Sequence, residues 1–213
     1  AGALAGADHL AGFEEMRTLA ARCRAWMGDG HGAGGLLPQE TNGAAPRLLS
    51  PPGHRAPLKL SEGCSNRCSY CAIPSIRGPL RSRPAEEILQ EAHDLLASGV
   101  REIELIAQDT AAYGRDRGEA GGLAGLLRAL AEAPGDAWFR LLYVHPRHLD
   151  RPMIEALAAD PRFCPYLDLP LQHIADPVLR AMGRGIDRAG IEARLADLRE
   201  LWPDAALRTT LLL

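Results

Sequence analysis

From Leu58 to the last residue, short apolar runs alternate with longer segments of helical period, and no other feature restricts the fold as strongly. LKL (58–60), EIELIA (102–107), WFRLLYV (138–144), YLDLP (166–170) and ALRTTLLL (206–213) read as strands. Between them lie AEEILQEAHDLLAS (85–98), a Gly- and Ala-rich stretch over about 121–133, and the segments 150–159 and 187–201. These repeat apolar residues at the spacing of a helix with one buried face. Such alternation joins parallel strands through right-handed crossovers, because each helix returns the chain to the same end of the sheet. A barrel and an open doubly wound sheet both satisfy it.

The polar residues that close each run add a second constraint. The first run leads into Glu62 and a group of cysteines, the second into Gln108 and Asp109, the third into His145, and the fourth into Gln172 and His173. Chemistry in parallel β/α folds gathers at the carboxyl ends of strands, so one shared face is predicted. The fold class expected is α/β, a partial (β/α) TIM-like barrel. Five strands cannot close an eight-stranded barrel, and the sequence stops at Leu213 inside an apolar run, which predicts a truncated array with an open edge.

Residues 1–57 show no such alternation. A helix is expected over Phe13–Met27, followed by GDGHGAGG and by Pro46, Pro51, Pro52 and Pro57, the composition of a linker after an incomplete N-terminal element. Residues 58–213 are left as the core domain. No run of 18 apolar residues occurs, and the N-terminus lacks the basic start and apolar stretch of a signal peptide. A cytoplasmic location without a membrane partner is the expectation. A formal net charge of −3 gives no chain-wide footprint for a nucleic-acid backbone.

Five cysteines, three of them within eight residues, suit a metal or redox site in a reducing compartment better than a disulfide framework. CSNRCSYC sets Cys64, Cys68 and Cys71 in a C-x3-C-x2-C spacing on a loop directly after a strand. Three thiolates so spaced can wrap three corners of an iron–sulfur cube and leave the fourth iron open. The competing readings are a zinc site completed by a histidine and a CSYC dithiol. Zinc sites usually pair two C-x2-C knuckles and the chain has no second one, so the cluster is favoured, with a non-catalytic zinc-binding module as the alternative of another class.

The stretch KLSEGCSNRCSYCAIPSIRGPLRSRP, followed by GVREIELIAQDTAAYG and then YLDLPLQH, resembles the methylthiotransferases of the radical S-adenosylmethionine (SAM) superfamily, and most closely the RimO type. The resemblance runs from about Leu58 to the end. It implies a radical SAM barrel over 58–213, with 1–57 as the remnant of an N-terminal methylthiotransferase domain plus linker. It further implies a [4Fe–4S] cluster on Cys64, Cys68 and Cys71, and S-adenosyl-L-methionine held on the open iron and split to a 5′-deoxyadenosyl radical. The activity implied is addition of a methylthio group to the β-carbon of an aspartate in a small-subunit ribosomal protein. That protein and an electron donor such as flavodoxin or ferredoxin are the implied partners.

The related branch that modifies adenosine in transfer RNA usually has Asn where this chain has Asp109, and an LPVQSGS-like segment where this chain reads LPLQHIA. Asp109, Thr110, Tyr113 and His173 therefore point toward the protein-modifying branch, with tRNA as the alternative substrate. Asp109 and His173 are expected to face the pocket above the cluster. Full-length members also carry a second [4Fe–4S] cluster on three N-terminal cysteines, whereas only Cys23 precedes the motif here, and a terminal β-barrel that would follow Leu213.

By the same resemblance, Tyr70 stands where an aromatic residue meets the adenine of SAM, with ordinary packing as its alternative. Gln108 and Gln172, at strand ends, suit ribose or methionine contacts or a local cap. Arg77, Arg81 and Arg83 form a basic group able to orient SAM or an acidic side chain, or a solvated loop. His145 and His173 read as satisfied histidines rather than metal ligands, and Cys164 and Cys23 as structural thiols. GRGIDRAG reads as a connection between helices. No catalytic acid or base is assigned.

Overall fold

The computed structural model describes residues 53–119 and 121–212. In chain order the strands are β1 (Arg55–Lys59), β2 (Ser61–Glu62), β3 (Arg81–Ser82), β4 (Glu102–Ile106), β5 (Trp138–Leu141), β6 (Tyr166–Asp168) and β7 (Ala206–Arg208). The helices are α1 (Ile73–Arg77), α2 (Ala85–Ala97), α3 (Gly122–Ala131), α4 (Arg151–Ala158), α5 (Asp176–Ala181) and α6 (Arg188–Leu201). The helix expected over Phe13–Met27, and Cys23 within it, lie outside the described residues.

β1, β4 and β5 form a parallel sheet in which Leu58 is level with Leu105 and Ile103 with Phe139. β6 and β7 are likewise parallel, with Leu167 level with Leu207. The two sheets are stitched together by a parallel bridge between Phe139 and Phe163 and by Val144 N donating to Asp168 O at 2.9 Å. The five parallel strands therefore follow one another in chain order, β1-β4-β5-β6-β7. Winding in one direction without reversal is the pattern of a β/α barrel segment, whereas a doubly wound sheet reverses at a switch point. Strand order thus decides what periodicity leaves open.

Strand alternation turns Ala56, Leu58, Ile103, Leu105, Phe139 and Leu141 toward a helical layer that contributes Ile88, Leu95, Leu127, Leu130, Ile154 and Leu157 to one apolar core. On the opposite face Arg55 pairs with Glu104 at 3.5 Å and Arg140 with Glu102 at 2.5 Å. The two faces of the sheet thus differ, one apolar against the helices and the other carrying ion pairs. Asp150 caps α4 by accepting from Met153 N at 3.1 Å, and Asp187 caps α6 by accepting from Gly190 N at 2.8 Å. Both carboxylates satisfy orphan donors of the first helical turn.

Four departures from the sequence expectations bear on the site. β5 ends at Leu141 rather than at 144, because Tyr143 adopts φ +60° and turns the chain away from the sheet. β6 and β7 are likewise shorter than their apolar runs. The segment after the cysteines, given no structure by periodicity, forms α1 and then β3, which pairs antiparallel with β2. The segment before GRGIDRAG forms α5, whose first turn holds Pro177. No helix among the described residues is long and apolar enough to cross a membrane.

Candidate functional site

The cysteine loop leaves β2 through Gly63, which has φ +74° and no room for a side chain: a Cβ there would collide with Pro79 O. This close approach lets the β2–β3 hairpin brace the loop from below. Cys64 N donates to Gly78 O at 3.1 Å, and Leu80 N donates to the Ser65 hydroxyl at 3.1 Å. Asn66 Nδ2 donates to Asp109 Oδ2 at 2.7 Å, tying the loop to the end of β4. Ser69 N donates to Met182 O at 2.9 Å, tying its far side to the turn after α5.

Cys64, Cys68 and Cys71 are partly buried and line one cavity of about 190 Å³ together with Asn66, Tyr70, Gln108, Tyr143, His145, Pro170, Gln172 and Arg184. These residues follow β1, β4, β5 and β6, so four strand ends converge, as the polar residues in the sequence predict. Burial pushes the Cys64 thiol up, and the neighbouring Asp109 and Cys68 add to it, so ligation must displace a firmly held proton.

Spacing of the sulfurs bears on the two metal readings. Among the described residues, only Asp109, His145 and His148 bring three ligating atoms within 4.8 Å of one another. The three sulfurs are spread more widely, whereas a tetrahedral zinc ion with Zn–S of about 2.3 Å holds its sulfurs about 3.8 Å apart. A wider spread suits the corners of a cube. The Asp109 group is itself committed elsewhere: Asp109 Oδ2 meets His148 Nδ1 at 2.7 Å and accepts from Asn66, and Oδ1 accepts from His145 N at 3.3 Å. His145 Nδ1 accepts from Arg147 N at 3.2 Å, so its neutral ring carries the proton on Nε2, a donor and not a ligand. Burial, and then the charge of Arg184, depress His145 to about 3, so the ring is neutral at physiological pH.

Two further observations mark the cysteine cavity as a ligand site. Four buried side-chain atoms lack a hydrogen-bond partner among the described residues, and three of them, Gln108 Oε1, His145 Nε2 and Arg184 Nε, belong to its walls. Buried polar groups are nearly always paired, so leftover bonding capacity gathered in one cavity fits a polar ligand. Tyr143 and Gln172, the two non-glycine residues with positive φ among the described residues, also line it. Strained backbone is retained where the surrounding structure holds a site in shape.

The remaining expectations divide. Tyr70 is in the wall and its hydroxyl accepts from Arg184 at 3.1 Å. Gln108 Nε2 donates to Glu62 at 3.1 Å, which orients its free Oε1. Asp109 borders a second cavity of about 260 Å³ that shares Cys64 and Asn66 with the first, but it is only 2% exposed and its oxygens are taken. Thr110 Oγ1 donates to Leu142 O at 2.8 Å and the Tyr113 hydroxyl to Arg83 O at 2.9 Å, so both hold the scaffold. His173 lines neither cavity; its Nδ1 accepts from Ala175 N at 3.0 Å. The expectation that Asp109 and His173 both face the pocket above the cluster is therefore corrected: one is a buried brace and the other stands aside.

Arg77, Arg81 and Arg83 also line neither cavity. Arg77 pairs with Glu62 of β2 at 3.7 Å and Arg83 with Glu91 of α2 at 2.7 Å, so these side chains are engaged by the scaffold. Cys164 is buried before β6, at the amino end of the sheet, opposite the cysteine loop. Sequence reasoning missed Arg184. It is 4% exposed, lies 116 residues from Cys68, and directs Nη1 to the Cys68 sulfur at 3.6 Å and Nη2 to Pro170 O at 2.6 Å.

A unidirectional β/α array with three thiols on the loop at the end of its first strand, lining a cavity whose walls hold unpaired donors and acceptors, is a barrel domain whose site suits a sulfur-ligated metal cofactor. The family model described as "Radical SAM superfamily" matches residues 58–213, and the chain belongs to that superfamily, whose cofactors are a [4Fe–4S] cluster and SAM. Curated relatives carry the name ribosomal protein uS12 methylthiotransferase RimO. That of Geobacter sulfurreducens is 52% identical over 166 residues, 78% of this chain and 37% of that protein. That of Syntrophus aciditrophicus is 53% identical over 167 residues, again 78% and 37%. The chain thus spans less than two fifths of the length of these relatives.

Among solved structures, the cobalamin-dependent radical enzyme OxsB with aqua-cobalamin and SAM bound matches with a TM-score of 0.62 at 14% identity, over 73% of this chain and 23% of that one. The radical SAM methyltransferase TsrM from Kitasatospora setae, with tryptophan and a SAM analogue bound, matches with a TM-score of 0.56 at 19% identity, over 75% and 30%. At these identities the likeness concerns the fold.

Proposed function

We propose that Cys64, Cys68 and Cys71 hold a [4Fe–4S] cluster, that SAM occupies the same cavity, and that the chain is the radical-generating core of a RimO-type methylthiotransferase. The observation that carries the site is the convergence on one cavity of three thiols and of three residues, Gln108, His145 and Arg184, that each hold an unpaired buried polar atom. The substrate reading is supported by the relatives of about half-identical sequence: an aspartate of a small-subunit ribosomal protein. When bound, the cluster supplies the electron that splits the SAM sulfonium and yields a radical able to remove an unactivated hydrogen.

The chain's own residues bind, orient and shield. Gln108 Oε1, fixed by the hydrogen bond of its amide to Glu62, accepts from the methionine ammonium of SAM. His145 Nε2–H, a neutral donor, serves an oxygen of the same ligand, and Tyr70 offers its ring to the adenine. Gln172, held at φ +70° with its N donating to Thr210 O at 2.8 Å, presents its side chain to the ribose. No acid or base is required, because hydrogen abstraction by a radical replaces proton transfer. A low-potential carrier such as flavodoxin or ferredoxin serves as electron donor in the cytoplasm, and the family's second [4Fe–4S] cluster, the sulfur source, rests on other ligands.

The test is anaerobic incubation of the full-length protein containing this chain with SAM, reductant, the ribosomal protein and tRNA, followed by mass spectrometry of both. A methylthio group on the ribosomal-protein aspartate is expected. Modification of tRNA alone overturns the substrate, and intact SAM with zinc in the purified protein overturns the reaction class.

A further inference from the structure

Arg184 is an almost fully buried cation, and among the described residues no carboxylate is paired with it. Its three recorded side-chain partners are the Cys68 sulfur, the Tyr70 hydroxyl and Pro170 O, and its Nε has none. A buried charge left without a counter-charge is strongly unfavourable, so a guanidinium in this position calls for an anion in the cavity it faces. The backbone is built to bring it there. Gly183 has φ +66°, and a Cβ on it would meet Arg67 O at 2.5 Å, so only glycine lets the turn after α5 press against the cysteine loop. Arg184 N donates to Leu179 O at 3.1 Å, which closes that turn.

We propose that Arg184 is the counter-ion of the cluster held by Cys64, Cys68 and Cys71, a positioning residue that retains the Cys68 ligand and raises the reduction potential of the cluster. The proposal rests on the cluster reading given above. A cube on three thiolates is anionic and gains one further negative charge when it accepts an electron from a low-potential donor; no bond is made or broken in that step. A fixed cation beside one sulfur favours the reduced form over the oxidised form, and it donates a hydrogen bond to that sulfur. The same fork holds the Tyr70 hydroxyl and Pro170 O, so one residue couples the cluster, the adenine-facing aromatic and the end of β6.

The measurement is an EPR-monitored redox titration of the anaerobically reconstituted full-length protein, with iron content measured alongside. The Cys64, Cys68 and Cys71 triple Ala variant supplies the baseline, so that any other cluster is subtracted. Arg184→Met is expected to lower the midpoint potential by about 59 mV or more, a tenfold loss in the one-electron reduction constant. Arg184→Lys, which keeps the charge and loses the fork, is expected to remain closer to wild type than to the Met variant. If circular dichroism shows that the Met variant does not fold, Arg184→Gln against Arg184→Lys gives the same comparison. Equal potentials in the charged and neutral variants, with wild-type cluster present, overturn the counter-ion and leave the cluster standing. Wild-type protein whose signal matches the triple Ala baseline overturns both.

Discussion

Two cavities flank the same short stretch of chain, Cys64 to Asn66, and they differ in how their polar groups are spent. In the larger, rimmed by Arg115 and Arg147, the buried Asp109 carboxylate is consumed by Asn66, His148 and His145 N. In the smaller, three buried polar atoms have no partner and two residues keep positive φ. The first network is closed and acts as a brace; the second is open and fits a ligand. Burial and polarity are common to both, so neither property marks the ligand site, whereas unspent hydrogen-bonding capacity does.

The sharpest way to break this contrast is at the thiols. Ala at Cys64, Cys68 or Cys71 is expected to abolish iron retention and SAM cleavage, read by iron analysis and by chromatography of 5′-deoxyadenosine; retention in any one variant removes that residue from the ligand set. Next in size is Gly183→Ala, whose Cβ would collide with Arg67 O and push the cysteine loop outward. Its melting temperature should fall by several degrees, at about 2–4 °C per kcal/mol for a domain of this size, with loss of iron.

Asp109→Ala and Gln108→Ala then separate brace from receptor. Removing Asp109 strands Asn66 and His148 and should destabilise the cluster-free protein by about 1–3 kcal/mol in urea unfolding. Removing Gln108 forfeits one hydrogen bond to Glu62, about 1 kcal/mol, yet should weaken SAM binding about tenfold by calorimetry. The reverse ranking would refute the contrast. His145 gives a smaller, pH-dependent effect. Its folded value near 3 lies below the ordinary 6.5, so the native state resists protonation and stability declines as pH falls from about 6.5 toward about 3. His145→Gln should flatten that acid limb in pH-dependent unfolding. Smallest of all, Cys164→Ala should leave iron content and SAM cleavage unchanged.

Much of this was legible in the sequence, and the failures are instructive. The cysteine spacing and strand–helix alternation identify a metal-bearing parallel fold because both are local patterns. Strand order was not legible, since crossover direction is set by packing between distant segments. Arg184 is not legible because Cys68 and Tyr70, which it meets in the cavity, lie over a hundred residues away and GRGIDRAG resembles an ordinary connection; the one available signal is an arginine between two glycines, Gly183 and Gly185, both with positive φ. The role of Asp109 is hidden for the same reason. A carboxylate at a strand end is expected to face the pocket, while the hydrogen bonds that occupy it come from Asn66, His145 and His148, at three other positions in the chain.

The central claim, that three thiols hold a cube open to SAM, is tested most directly by EPR of the reduced, anaerobically reconstituted chain with and without SAM, beside its iron content. The account predicts about four iron atoms per chain and a signal that changes on adding SAM, both lost in the Cys64, Cys68 and Cys71 triple Ala variant. One bound zinc, or a full iron complement in the triple variant, would contradict it.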